Sequence, residues 1–192
     1  MGHSREDKAE SHEHIVRVAA ARFREAGVDG VGVAELMKEA GLTHGGFYRH
    51  FASREELVAE AVERALSDGS ARALSVLTGT ARNPLAALVD AYLSAVHRDQ
   101  LASSCAVTTL AGDVARSNER ARAAYTRQVD TYLELLTKHI TAGEPGARRT
   151  RAIAALATLV GAVSMARAVN DEKLSREILK SAAEELKARL GA

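Results

Sequence analysis

The chain reads as an all-α protein: an N-terminal three-helix head with a helix-turn-helix, then a helical body. Three observations predict this. Proline is scarce, 2 in 192 residues, and aromatics make up 4%, while alanine and leucine abound; strong helix formers with few breakers favour helix. Apolar residues recur at three- and four-residue spacing along most of the chain, the period of a helix with one buried face. Glycine, asparagine or serine stands where one such stretch gives way to the next, as helix ends require.

The first periodic stretch spans residues 11–26, with Ile15, Val18, Ala19, Arg22 and Phe23 on its inner stripe and the Arg22 head directed outward. Residues 1–11 are charged, lack periodicity and read as a tail. Gly27 ends the helix. Val33, Leu36, Met37 and Ala40 give a second apolar face over two turns, and Gly41 stands where a left-handed residue must stop it. Thr43 is placed to cap a short helix from His44 to Phe51. Two helices joined by a tight glycine turn match the unit whose second helix enters the DNA major groove. Gly45 and Gly46 lie inside that second helix, where each costs roughly 1 kcal/mol relative to alanine. Close approach of backbone to another molecule would justify the cost. Four of the seven aromatics fall in the first 51 residues, so Phe23, Phe47 and Phe51 are expected to form a core for the head.

Ser53 and Glu56 make a capping box for the next helix, which carries Leu57, Ala61 and Ala65 and extends past Gly69 to Leu77. This helix links head to body, and Gly69 marks a candidate bend. Asn83 and Pro84 start another helix, with Leu85, Leu88, Val89, Tyr92, Leu93 and Val96 as its apolar face. Residues 103–116 form a short helix with Cys105, Val107, Leu110 and Val114. After a break at Ser117 to Glu119, a long helix runs to Thr141 with Tyr125, Val129, Tyr132, Leu133 and Leu136 inward. Residues 142–146 turn the chain. Residues 147–168 are the most apolar helix, whose small residues, Gly161 among them, admit a close neighbour. Ser175 caps the last helix, with Ile178, Leu179, Ala182, Leu186 and Leu190 inside.

The run AGLTHGGFYRHFASREEL, residues 40–57, resembles the signature of TetR-family transcriptional regulators: a glycine turn, a polar cap, a glycine and an aromatic-rich ending, then a polar helix start. Met37, His44 and Arg54 depart from the family's common residues at their positions. The resemblance implies residues 1–51 as a helix-turn-helix DNA-binding domain and residues 52–192 as a helical effector-binding and dimerisation domain. It implies a homodimer joined through its last two helices, a palindromic operator, and a repressor released by a small-molecule inducer. DNA would be met by Thr43, His44, Gly45, Gly46, Tyr48, Arg49, His50 and Arg54. Of these, Tyr48 and Arg54 would position phosphates, and His44, Gly45 and Arg49 would lie nearer base edges. The inducer would meet a mostly apolar cavity with a few polar groups, drawn from Tyr92, Val96, Cys105, Thr109, Tyr125 and Tyr132. The bland alternative for each of these is packing at a core edge.

Other chemistry finds little support. No phosphate loop, zinc pattern, nucleophile elbow or Glu-x-x-His pair is present, so no catalytic residue, cofactor or metal is assigned. Net charge is +1, and residues 1–56 carry eight Lys/Arg against ten Asp/Glu, which argues against a broad nonspecific hold on nucleic acid. The alternative function is a helical binding or adaptor protein without DNA binding, and more remotely an enzyme. A single cysteine fits a reducing compartment. Cys105 near a helix start reads either as a small buried hydrophobe or as a thiolate sensor of electrophiles. The nearly apolar run 152–166 is too short to span a bilayer; no membrane partner and a cytoplasmic location are expected.

Overall fold

The computed structural model describes residues 5–141 and 144–191. Helix α1 (Arg5–Ala26) begins in the stretch read as a tail: Glu6 and Asp7 occupy its first turn, where carboxylates suit the helix N-terminus. The expectation for residues 1–4 lies outside the described residues, as does that for Ala142 and Gly143 in the turn.

Helix α2 (Val33–Glu39) ends on Ala40 and Gly41. Gly41 has φ +72°; its N–H reaches the Lys38 carbonyl at 3.0 Å and the Leu42 N–H reaches that of Met37 at 2.8 Å. This paired closure leaves the outgoing chain aimed across α2. The second helix is a single 3-10 element, His44–Arg49, tighter than the α-helix expected. Thr43 stands at its N-cap without a side-chain cap bond, so backbone and the burial of Phe47 and Phe51 hold it in place.

Helix α3 (Arg54–Leu77) is unbroken through Gly69. Its capping box forms with one change: Ser53 accepts the Glu56 N–H at 3.3 Å, while the Glu56 carboxylate takes the Ala52 N–H at 2.5 Å. The first half of α3 packs along α1, tied by Glu13 to Arg64 and by His12 to Glu60 at 2.7 Å. Phe23, Phe47 and Phe51 are fully buried, yet the head has no separate core: one apolar cluster runs from Ile15 through Leu57 and Val62 into the body. Among the described residues the packing therefore shows no gap at residue 51.

The body follows as α4 (Pro84–Tyr92), α5 (Ala95–Asp99), a 3-10 turn (Leu101–Ser103), α6 (Ala106–Thr109), α7 (Ala111–Ala115), α8 (Glu119–His139), α9 (Arg148–Ala168) and α10 (Glu172–Leu190). The single helix expected over residues 103–116 is two short helices, α6 and α7, preceded by the 3-10 turn. The last helix starts earlier than expected, because Asp171 caps it by accepting the Lys173 and Leu174 N–H groups. Ser175 instead donates to the Ala166 carbonyl at 2.6 Å, joining α10 to α9. Among the described residues there is no strand. Helix α9, at 21 residues, is long and apolar enough to cross a membrane by length and composition, longer than the apolar run suggested. Ala152, Leu156, Leu159 and Val163 bury one side of it.

Candidate functional site

Two regions carry functional expectations: the outer face of the head and a cavity inside the body. On the head, Thr43, His44, Gly45, Tyr48 and Arg49 are exposed together, with Tyr48 at 73%. A tyrosine this bare on a short helix costs apolar exposure, which a partner would relieve. The two glycines sharpen the point. A Cβ on Gly45 would meet nothing within 4 Å, and one on Gly46 would make only ordinary contacts, the nearest at 3.7 Å. Neither has a positive φ. Nothing inside the chain demands glycine at either position.

Two expected contact residues are placed differently. His50 is half-buried, its ring 6.1 Å from that of His12 and beside Phe51, with Nδ1 buried and unbonded. Burial pulls its pKa down, with His12 and Lys8 adding. Arg54 turns inward: its guanidinium donates to the Val28 carbonyl at 2.6 Å and lies 3.7 Å from Asp29. It braces the α1–α2 loop, because a side chain at the start of α3 reaches that loop directly. Arg49 and Lys38 remain exposed cations on this side of the head.

The cavity, about 110 Å³, lies between α3, α4, α8 and α9. Leu77, Leu88, Leu135, Leu136, Leu156 and Leu159 make much of its wall apolar. Of the residues expected to line it, Tyr92, Cys105 and Tyr132 do. Val96 does not; it is 62% exposed on the far side of α5. Tyr125 donates to the Val107 carbonyl at 2.8 Å, and Thr109 bonds the Cys105 carbonyl at 3.3 Å. Both brace α6 rather than face the cavity. The helix expected to continue from Tyr92 to Val96 instead breaks at Leu93, which rotates Val96 outward.

Four residues not assigned to the cavity from the sequence organise this region. His97 lines the cavity, and both its nitrogens are committed. Nδ1 faces the Tyr92 carbonyl at 2.7 Å, which only accepts, so Nδ1 carries the hydrogen. Nε2 then accepts the Cys105 N–H at 3.0 Å. Burial holds this imidazole down to about 4, so it is neutral at pH 7. Arg167 of α9 donates to the carbonyls of His97 and Arg98 at 2.8 and 2.9 Å, pinning the same segment from below. Arg24 of α1, 7% exposed, reaches the Ala102 carbonyl at 2.6 Å and lies 3.4 Å from Asp68. The 97–105 segment is thus held by the head on one side and by α9 on the other. Arg72, on α3, lines the cavity too. Nothing in the sequence singles out Arg72 or Arg167; Arg24 stands four residues after Ala20, and both are buried.

Cys105 is 7% exposed and stands at the N-cap of a four-residue helix, its thiol 3.7 Å from the Tyr132 hydroxyl. Among the described residues no group of His, Cys, Asp and Glu is arranged to hold a metal ion.

Comparison with known proteins accords with this geometry. Residues 15–61 match the model for bacterial regulatory proteins of the tetR family. The chain is 35% identical over 80 residues to the HTH-type transcriptional repressor KstR2 of Mycobacterium tuberculosis. That match covers 42% of this chain and 40% of the relative's length, so the chain spans under half of the curated relative it matches. Similarity in structure runs further. A TetR transcriptional regulator from Chloroflexus aurantiacus superposes with TM-score 0.81 at 26% identity, covering 97% of this chain and 96% of that one. The reduced form of E. coli NemR superposes with TM-score 0.78 over 93% of this chain and 96% of that one; at 23% identity the likeness is one of fold.

Proposed function

Since the chain belongs to the tetR family of bacterial regulatory proteins, we propose that it is a ligand-responsive, DNA-binding transcriptional regulator. In this reading it is a cytoplasmic homodimeric repressor that leaves a palindromic operator when a small molecule fills the body cavity. The observation that carries the reading is that α3 serves both regions. It starts at Arg54, five residues after the recognition helix ends, and its first half packs on α1. Its second half forms the cavity wall through Gly69, Arg72, Ala73, Val76 and Leu77. A ligand that favours one placement of that wall also biases the placement of the head, which is what coupling between two sites requires.

What α9 and α10 leave uncovered supports dimerisation. Ile153, Met165 and Leu174 are 50%, 56% and 43% exposed, and a Cβ on Gly161 would meet nothing within 4 Å. An open apolar face of this kind suits a second copy packed by two-fold symmetry. The two-fold would set the recognition helices about 34 Å apart, one DNA turn. Exposed Thr43, His44, Gly45, Tyr48 and Arg49 would meet the groove, with Gly46 allowing close approach and Lys38 reaching phosphates. His50 and Arg54 are supports of that surface.

Selection of the full-length protein on a random duplex library, followed by gel shifts, tests the reading. Enrichment of a two-fold symmetric site bound far better than its scrambled version is the expected result. Equal binding to both duplexes would overturn it.

A further inference from the structure

We propose that the cavity selects a compact organic anion, an apolar body about one ring in size carrying a carboxylate or similar group, and that Arg72 reads its charge. The inference rests on the ligand-responsive reading above and concerns the chemistry of the ligand. Size comes first. An apolar protein cavity of roughly 150 Å³ holds benzene, so about 110 Å³ that opens to the surface suits a single-ring body with its polar end at the mouth.

Charge follows from a census of donors and acceptors. The Tyr92 hydroxyl is engaged with the Thr108 hydroxyl at 2.6 Å. Both nitrogens of His97 are spent on backbone groups. The Cys105 thiol donates to the Tyr132 oxygen, which leaves the Tyr132 hydroxyl hydrogen free to donate. Arg72 is exposed at the rim, and among the described residues neither a hydrogen bond nor an ion pair holds its guanidinium. Among the described residues no carboxylate lines the cavity. Arg72 lines the cavity together with Tyr132 and His97, and its positive charge is felt by both the phenol and the imidazole. The lining therefore offers a ligand one cation and hydroxyl hydrogens, that of Tyr132 among them, all suited to an anion's oxygens. An ammonium would meet repulsion and find no counter-charge.

Arg72 and Gly69 are one helical turn apart on α3, so the ligand's charge would be read by the helix that carries the head. Titration calorimetry on the full-length protein with benzoate, benzamide and benzylamine tests the assignment. Benzoate should bind about tenfold more tightly than benzamide, the low end for a charge-assisted hydrogen bond at a part-exposed site, and benzylamine should not bind. Arg72→Gln should bring benzoate and benzamide together, and Arg72→Lys should keep the preference; melting curves check that both variants fold. Benzamide or benzylamine binding as well as benzoate would overturn the charge assignment and leave the ligand-responsive reading standing. So would an undiminished preference in Arg72→Gln. Failure of all three compounds to bind would overturn the single-ring cavity and this proposal together, a result independent of any DNA measurement.

Discussion

The Tyr132 hydroxyl occupies the space that a Cβ on Gly69 would need. Helix α8 thereby rests its phenol against the backbone of α3, midway between the head and the far end of the cavity. The glycine expected to bend the helix instead makes room for a neighbour.

Gly69→Ala sets two effects against each other. Alanine favours the helix by about 1 kcal/mol, while overpacking against a buried ring costs about 1–3 kcal/mol. The ring is 8% exposed and has little freedom to yield, so a net loss of about 1 kcal/mol is expected. Tyr132→Phe removes the offending oxygen and leaves the ring carbon 3.5 Å from the new Cβ. In that background Gly69→Ala should stabilise by about 1 kcal/mol. Urea unfolding of the four proteins in the cycle decides it; the same sign in both backgrounds would remove the clash from the account.

On the head, Gly45 has open space around it, so Gly45→Glu should fold normally and still lose operator binding, on the order of a hundredfold, through bulk and negative charge near phosphates. Tyr48→Ala should weaken operator and scrambled duplex alike, because a phosphate-positioning side chain carries no sequence information. Gel shifts paired with melting curves measure both. Unchanged operator affinity in Gly45→Glu would take this element out of the groove.

Gly161→Glu places a charge in the uncovered face of α9 without disturbing the protomer, since the added side chain meets open space. Sedimentation velocity should report a monomer and gel shifts a loss of operator binding, because a buried unpaired charge opposes the seam. A dimer that persists would put the seam on another face.

His97 makes stability depend on pH. Its pKa is about 4 in the folded chain, against about 6.5 when unfolded. Between these values the unfolded chain binds the proton and the folded chain does not, so stability falls as pH drops from about 6.5 toward 4, by about 3 kcal/mol at most. Denaturant titrations at pH 7 and pH 4.5 should show a steeper loss in the native protein than in His97→Gln. The variant should be the weaker of the two at pH 7, and parallel losses would contradict the assignment.

Much of this architecture is a local matter, and local matters are legible in sequence. Gly41 had to be left-handed because α2 ends there, and Asn83, Pro84 and the Ser53–Glu56 pair act on backbone groups within a few residues of themselves. The recognition segment was readable for the same reason: its turn, aromatics and glycines are contiguous. Where the chain folds back on itself, the same reasoning misplaced side chains. Arg54 was expected on phosphates, but a carbonyl 26 residues earlier in the chain lies within its reach. Ser175 was expected as a cap, but the Ala166 carbonyl across the α9–α10 turn takes its hydroxyl. Periodicity assigned Tyr92 and Val96 to one face; a break at Leu93 separated them. Composition and periodicity determined that this chain is helical, where most helices lie and which stretch is the head. Only the tertiary structure decided which polar groups meet, because Arg24, Arg72, His97 and Arg167 find their surroundings across 41 to 78 residues or at a cavity no single helix contains. A hydrogen bond depends on position in space, and the spacing of residues along one helix carries no record of that.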